Sequence, residues 1–357
     1  MPKVLVVATS RRTRGGITSV VKAHESGEQW KQYHCRWIET HRDGPTWRKV
    51  FYLIRALIEY IILLPFYDII HIHLATTQSA KRKKYFFNLA KVLNKKTILH
   101  FHPSNEKFFY NPNVAELYRD LFGRADLVLV LSEQWIRWIK DSLGNGNWIN
   151  HIQILYNPCP IVNRRKDIRK KQILYAGTLL KRKGYDVLLT AFGKIASKYP
   201  DWKVAFAGNP YLKDGINELE DGKRIANELG INNQVEWLGW VSGDKKEKTF
   251  QESSIYCLAS DGEGFPMGVL DAWAYGIPCI MTPVGGIPDI VTDGENGLIF
   301  PVGDAKALSV ALDKLLSNSE MRLHIVEKSD KYVHEDFELG HITKQLGKIY
   351  ENLMDKH

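Results

Sequence analysis

The sequence predicts an α/β protein of two doubly wound parallel sheets that face a central cleft. Three observations carry that expectation. Short apolar runs such as Lys3–Thr9, Asp68–Leu74 and Ile255–Leu258 alternate with helix-length segments along the whole chain. Their unbroken apolar character fits strands covered on both faces, the mark of a parallel sheet. At 357 residues the chain exceeds what one small core serves. A polar stretch, Pro160–Lys171, separates the two runs of alternation as a linker would, and its charge suits a solvated connector.

In the first half, Lys3–Thr9 reads as a strand, Arg11–Gly16 as a loop and Ile17–Ser26 as a helix. Gly15 and Gly16 stand at the strand-to-helix turn, where free backbone amides favour an anion. No G-x-G-x-x-G is present, and no acid is placed for an NAD ribose, which counts against a dinucleotide enzyme. Val50–Tyr67 is apolar but carries Arg55 and Glu59 and meets Pro65. It falls short of the roughly 18 to 20 apolar residues of a membrane span. A buried helix is expected there, with an interfacial one as the rival. Asp68–Leu74, Thr97–Ser104, Ala125–Ser132 and Ile152–Pro158 read as the remaining strands, and a basic helix starts near Ser79. His71 and His73 alternate on one strand, His100 and His102 on another. No carboxylate or cysteine completes a recognised metal spacing, so no metal site is expected. His102 is the functional candidate of the four, because Pro103 ends its strand and leaves the ring at the ligand-binding edge of the sheet.

The second half repeats the pattern, with strands at Gln172–Ala176, Lys203–Ala207, Val235–Leu238, Ile255–Leu258, Pro278–Met281 and Leu298–Phe300 and a helix at Tyr185–Lys198. The loop Gly177–Gly184 offers Lys181, Arg182 and Lys183 beside glycine backbone, a setting for a diphosphate. Ser260–Pro278 opens as a glycine-rich loop and turns helical until Gly276 and Pro278. Amides at such a junction favour phosphate. Glu263 in the loop and Asp271 on the helix add two carboxylates for hydroxyl groups. A diphosphate with two sugars attached meets all of these demands.

Composition narrows the classes further. Hydrophobic residues make up 44% and charged residues 25%, as in an ordinary globular protein. Four cysteines without C-x-x-C spacing suggest buried, reduced thiols of an intracellular protein. The N-terminus reads as a strand rather than a signal peptide. Residues 1–171 carry a net charge of +16 and residues 172–357 a net of −7. The first half is therefore expected to meet something anionic. With no aromatic-plus-basic module present, nucleic acid is not the expected partner.

Several stretches together resemble the retaining glycosyltransferases of family 4, which have the GT-B fold of two Rossmann-like domains. Glu263-Gly-Phe-Pro-Met-Gly-Val-Leu-Asp271 resembles their E-x7-E signature. Gly177-Thr-Leu-Leu-Lys-Arg-Lys-Gly184 resembles their G-R-L-x-x-x-K-G loop, and Val284-Gly-Gly-Ile-Pro-Asp289 their V-G-G-x-x-E/D loop. Arg14-Gly-Gly-Ile, the His-Ile-His strand, Phe101-His-Pro-Ser, the Ala125–Ser132 strand and Asn157-Pro158 follow in family order. The likeness runs from near residue 3 to about residue 315, and is nearest to bacterial enzymes of capsule, exopolysaccharide and cell-wall glycan synthesis.

The resemblance implies an acceptor-side domain over 1–160, a donor-binding domain over 161–337, and a C-terminal helix at about 338–357 packed back on the first. It implies a nucleotide-sugar donor, a UDP-sugar among the options, and a glycan or lipid-linked glycan acceptor. It also implies a hexosyl transfer with retention, no metal and no cofactor. Glu263 is implied to bind a donor sugar hydroxyl, and Asp271 the ribose. Gly264, Phe265, Pro266 and Met267 are implied to line sugar and phosphate. Lys183 would hold the diphosphate and aid its departure, Gly16 would let backbone approach it, and His102 would reach the donor sugar. Two positions depart from the family pattern: Asp271 replaces a longer Glu, and Thr178 replaces a phosphate-binding Arg, for which Arg182 and Lys181 are the candidate substitutes. The basic first half, with Trp30, Trp37 and Trp47 among its cations, suits a cytoplasmic enzyme held peripherally at an anionic membrane face. An epimerase or hydrolase of the same fold and a non-catalytic scaffold are the competing readings.

Overall fold

The computed structural model describes residues 1–13, 15–165, 169–210 and 217–355. Arg14 and linker residues 166–168 lie outside them. The chain divides into two units, Met1–Pro158 with Phe337–His357, and Cys159–Asp336.

The first unit holds a six-stranded sheet of β1 (Val4–Ala8), β2 (Arg36–Glu39), β3 (Ile69–Leu74), β4 (Lys96–Phe101), β5 (Leu127–Val130) and β6 (Ile152–Ile154). Every pairing is parallel, in the order β2-β1-β3-β4-β5-β6. Strand β2 was not anticipated from the sequence. It lies at the sheet edge and buries only Trp37 and Ile38, so it lacks the long apolar run that marks its neighbours. Val4, Val6, Ile69, Ile98 and Leu129 form the core on one face. Ile342, Leu346, Ile349 and Tyr350 of the Leu339–Asp355 helix complete that core, and Tyr33 Oη donates to Glu351 at 2.7 Å.

The apolar helix of the first half spans Thr46–Leu63. It is not the buried helix expected: only Ala56 and Tyr60 along it are buried. Tyr60 carries the packing, donating to Phe86 O at 2.8 Å with its ring 5.0 Å from that of Phe86.

The second unit holds β7 (Gln172–Ala176), β8 (Lys203–Ala207), β9 (Val235–Trp237), β10 (Ile255–Leu258), β11 (Cys279–Met281) and β12 (Leu298–Ile299). These too are all parallel, in the order β12-β11-β10-β7-β8-β9. The core gathers Leu188, Leu189 and Phe192 of the Tyr185–Gly193 helix with Leu308 and Leu312 of the Ala305–Ser317 helix. The former helix stops five residues short of the expected Lys198, at Gly193. Glycine is a poor helix residue, and a short turn at Ala196–Lys198 follows instead.

Most described residues of the linker are exposed, as a solvated connector would be, but two of its arginines are pinned to the second unit. Arg164 pairs with Asp330 at 2.6 Å and caps the carbonyls of Trp273 and Ala274. Arg169 donates to Ser253 O at 2.5 Å and Phe250 O at 3.1 Å. Both guanidiniums add a donor to carbonyls at helix ends, a use of cations that a residue count does not reveal. Cys159, Cys257 and Cys279 are buried, and all four cysteines are free thiols. No helix among the described residues is long and apolar enough to cross a membrane.

Candidate functional site

The strand order of the second sheet locates its ligand edge. From β7 the chain builds outward to β8 and β9, then returns to place β10 on the other side of β7. At such a switch point the loops leaving the two central strands diverge and open a crevice at their carboxyl ends. The loop after β7 is Gly177–Gly184, and the loop after β10 runs through Ser260 to Pro266. Two motifs eighty residues apart in sequence thus become neighbours.

The side chains meet there. Lys183 forms an ion pair with Glu263. Glu263 also accepts from Ser260 Oγ at 2.6 Å, and Thr282 Oγ1 donates to Ser260 O at 2.5 Å. The carboxylate is buried, and its Oε1 takes both bonds, from a cation and a hydroxyl, which makes its burial tolerable. Arg182 donates to Gly262 O, and Asp261 N returns a bond to Arg182 O at 2.9 Å. One arm of Arg182 is therefore committed to clamping the two loops together. Lys181 is mostly exposed and lies 3.7 Å from Asp221.

Glycine is required where these loops touch. Gly184 has φ +71°, and a Cβ there would lie 2.1 Å from Ala259 O. Gly285 has φ +60°, and its Cβ would lie 2.0 Å from Glu263 O. Gly264 and Phe265 are buried, and Gly286 N donates to Gly264 O at 3.2 Å, so the Val284–Asp289 loop supports the acidic loop from below. Pro266 precedes the Met267–Ala274 helix without a side-chain cap, leaving its first amides for another acceptor. Thr178 is half-buried, and its carbonyl accepts from Tyr175 Oη at 2.8 Å.

Asp271 sits on that helix apart from the Lys183–Glu263 pair. Its carboxylate bonds Lys246 Nζ at 2.7 Å. Burial pushes the Asp271 carboxyl up, while the charge and hydrogen bond of Lys246 pull it back. Lys246 comes from the Asp244–Glu252 helix, and sequence reasoning missed it. Nothing in the run Asp244-Lys-Lys-Glu-Lys distinguishes it from a solvated face.

In the first unit, Gly16 opens the Gly16–Ser26 helix and is exposed, with no side chain capping that terminus. The register sets His73 opposite His100. His71, His73, His100 and His102 therefore share one face, and His24 joins them from the Gly16–Ser26 helix. His73 Nδ1 lies 2.9 Å from His102 Nε2, His71 Nε2 lies 3.2 Å from His100 Nδ1, and Tyr350 Oη meets His71 Nδ1 at 2.8 Å. Burial brings His24 down to about 4 and His71 to about 3, and holds His73, His100 and His102 well below their ordinary value. The cluster is thus neutral near pH 7. Ring nitrogens of His71, His73 and His100 lie within 4.8 Å of one another, so by ligand type these three could hold a metal ion. Below them Lys83 is fully buried, donates to His73 O and is brought down to about 7 by burial. The sequence placed Lys83 in a basic surface run; its position on the inner face of the Thr77–Val92 helix decides otherwise.

Residues 162–332 match the family model described as Glycosyl transferases group 1. An uncharacterized glycosyltransferase of Haemophilus influenzae is 30% identical over 199 residues, 55% of this chain and 54% of that protein. A D-inositol 3-phosphate glycosyltransferase of Corynebacterium urealyticum is 29% identical over 51% of this chain and 43% of its own. The chain spans about half the length of these curated relatives. Among solved structures, Anabaena HepE in complex with UDP and glucose superposes with a TM-score of 0.79 at 15% identity, over 98% of this chain and 100% of its own. A sucrose-phosphate synthase from Thermosynechococcus elongatus gives 0.81 at 16% identity, over 100% of both chains. At this identity the likeness is one of fold, and that fold is GT-B: two parallel, six-stranded, helix-flanked units.

Proposed function

We propose that the chain is a glycosyltransferase that moves a hexose-type sugar from a nucleoside-diphosphate sugar to a glycan or lipid-linked glycan acceptor, with retention at the anomeric carbon. The contact of Lys183 with Glu263 at the carboxyl edge of the second sheet carries this reading. A cation and a carboxylate side by side suit a sugar diphosphate, which would need both, one for phosphate and one for a sugar hydroxyl. The match over 162–332 and the names of the relatives support the reaction class. The UDP and glucose in the HepE structure support a UDP-sugar as the first donor to test.

In the proposed reaction the bond between the anomeric carbon and the diphosphate oxygen breaks, and its electron pair leaves with the nucleoside diphosphate. The acceptor oxygen bonds to the anomeric carbon on the same face, and its proton passes to the departing diphosphate. Negative charge grows on the leaving group, so a fixed cation and open amides there stabilise the transition state more than the ground state. Lys183 supplies the cation, and the first turn of the Met267–Ala274 helix supplies the amides, with Gly264, Phe265 and Met267 lining the pocket. Glu263 holds a sugar hydroxyl and Asp271 the ribose. Gly16 and His102 belong to the first unit, where the acceptor binds; its basic surface suits an anionic carrier in capsule, exopolysaccharide or cell-wall glycan synthesis. Neither metal nor cofactor takes part in this scheme, and turnover is expected to survive EDTA.

The test is incubation with a panel of sugar nucleotides and a total lipid extract. A glycosylated lipid supports transfer. Free sugar or an epimerised donor would assign the epimerase or hydrolase reading, and binding without turnover the scaffold reading. Glu263→Ala and Lys183→Ala should each lower turnover at least about tenfold, or ~1.4 kcal/mol of transition-state stabilisation. Activity surviving both substitutions would mean that the chemistry lies elsewhere.

A further inference from the structure

The Thr46–Leu63 helix has two apolar faces and the fold uses one of them. Ala56 and Tyr60 turn inward. On the other side Trp47, Val50, Phe51 and Ile54 are exposed, followed by Ile58, Ile61 and Ile62. Their spacing, three and four residues apart, is that of one continuous helical stripe. Trp47 is 67% exposed and Ile62 is 62% exposed, values that belong to solvent-facing polar residues. Phe66, just beyond the helix, is 69% exposed and prolongs the stripe. Single exposed apolar residues need no explanation, but a contiguous stripe over about four turns marks an interaction surface.

The charge around the stripe selects its partner. Arg48, Lys49 and Arg55 lie on the same helix against one acid, Glu59. Glu59 is neutralised by Arg36 at 2.9 Å. Arg48 and Arg55 border the stripe, while Lys49, seven residues before Ala56, lies exposed at the start of the helix on its other side. Arg48 and Arg55 keep their guanidiniums 5.4 and 5.9 Å from the rings of Trp47 and Tyr52. Their stems therefore follow the apolar surface, as side chains do that present a charge at a boundary. Between the turns a groove of about 510 Å³ runs along Phe51, Ile54, Ile58 and Ile62, with Arg36 and Arg55 at its margin. Eighteen residues of helix interrupted by four charged residues are unsuited to spanning a bilayer but suited to lying in its interface. The neighbouring Thr77–Val92 helix, joined through Tyr60 and Phe86, also leaves Tyr85 and Val92 exposed.

We infer that the Thr46–Leu63 helix is a membrane-docking element that lies flat in the headgroup region of an anionic bilayer, its apolar stripe inserted and its cations on the lipid phosphates. The inference extends the acceptor part of the proposed function, since a lipid-linked acceptor would be met at that surface. Its test is independent of catalysis. The protein is floated with phosphatidylcholine vesicles with and without phosphatidylglycerol, at low and high salt. Wild-type protein is expected to float with the anionic vesicles and, at low salt, to prefer them to neutral ones. The triple variant Ile54→Ser, Ile58→Ser, Ile62→Ser should bind at least about tenfold less at either salt, because insertion is lost. Arg48→Ser with Lys49→Ser and Arg55→Ser should bind less at low salt alone, where charge attraction is unscreened. Both variants should keep the wild-type melting temperature and the wild-type stabilisation by UDP, which separates a failed docking surface from a failed donor site. Wild-type protein that leaves the vesicles unbound, or a triple-serine variant that binds them equally well, overturns the inference. A wild-type dimer in solution that the triple-serine variant converts to monomer, without vesicle binding, assigns the stripe to a second copy instead.

Discussion

At the scale of single residues, the second unit pairs each of its two key acids with a lysine. Glu263 holds Lys183, and Asp271 holds Lys246. The consequence for Asp271 is a tension between burial, which favours its neutral form, and Lys246, which favours the charged one. Lys246→Met removes the counterweight and leaves the carboxyl more often protonated, so it would be a poorer acceptor for the ribose it is proposed to hold. Affinity for UDP in that variant should rise with pH over a range displaced upward from that of wild type. Isothermal titration from pH 4 to 8 reads it, and identical pH profiles for the two proteins would refute the coupling. The departure at position 271 is met by this local chemistry, and the one at position 178 is not. A lysine from another helix attends the shortened acid, while the carbonyl of Thr178 is tied to Tyr175 and one arm of Arg182 to Gly262.

At the scale of elements, the site rests on loops held at backbone distance. Gly184 lets the Gly177–Gly184 loop touch Ala259, and Gly285 lets the Val284–Asp289 loop touch Glu263. Gly184→Ala would cost about 1 kcal/mol for the left-handed backbone alone. The Cβ, 2.1 Å from a carbonyl that cannot swing aside, adds to it. The two loops must then separate, which moves Lys183 from Glu263. Stabilisation by UDP should be lost while far-ultraviolet circular dichroism stays unchanged; a variant with full UDP stabilisation would show that the approach of the loops is dispensable. The motifs behind these elements were legible because each is contiguous: a glycine-rich loop, a helix start and a helix stop lie within twenty residues. The edge strand β2 and the pinned linker were not legible. An edge strand needs no apolar run, and the role of an arginine that caps a distant helix is written in the helix, not beside the arginine.

At the scale of the whole molecule, the units differ in how they answer acid. The first buries His24, His71, His73 and His100, with His102 at their edge, whereas His324 and His334 of the second are exposed. Above pH 6.5 the rings are neutral folded or unfolded, and they leave stability unchanged. Below it the unfolded chain binds protons that the folded cluster refuses, down to about 4 for His24 and about 3 for His71. Stability of the first unit should therefore fall as pH drops from 6.5 toward 4, by on the order of 1.4 kcal/mol per pH unit for each such histidine. Lys83, held at about 7 by burial, extends the slope on the alkaline side, where the unfolded lysine keeps its proton to a higher pH. Hydrogen exchange resolved by unit between pH 4.5 and 8 would show the first unit opening before the second, and a His24→Asn variant should flatten the decline. Equal acid sensitivity of the two units would count against a neutral cluster.

The sequence by itself determined every strand but β2, together with the glycine-rich loops and the acids within them. Those depend on neighbours in the chain, through apolar periodicity, glycine and proline. It also held the charge contrast between the halves, since that is a sum over residues. Only the tertiary structure decided what each lysine touches. Lys183 pairs with Glu263, Lys246 pairs with Asp271, and Lys83 lies buried beneath a histidine cluster. In sequence all three stand in similar basic runs. Burial and partner choice are set by strand register and helix facing, and these follow from packing across the whole unit. The same holds for the Thr46–Leu63 helix, whose residues read as core and whose outer face the fold leaves uncovered.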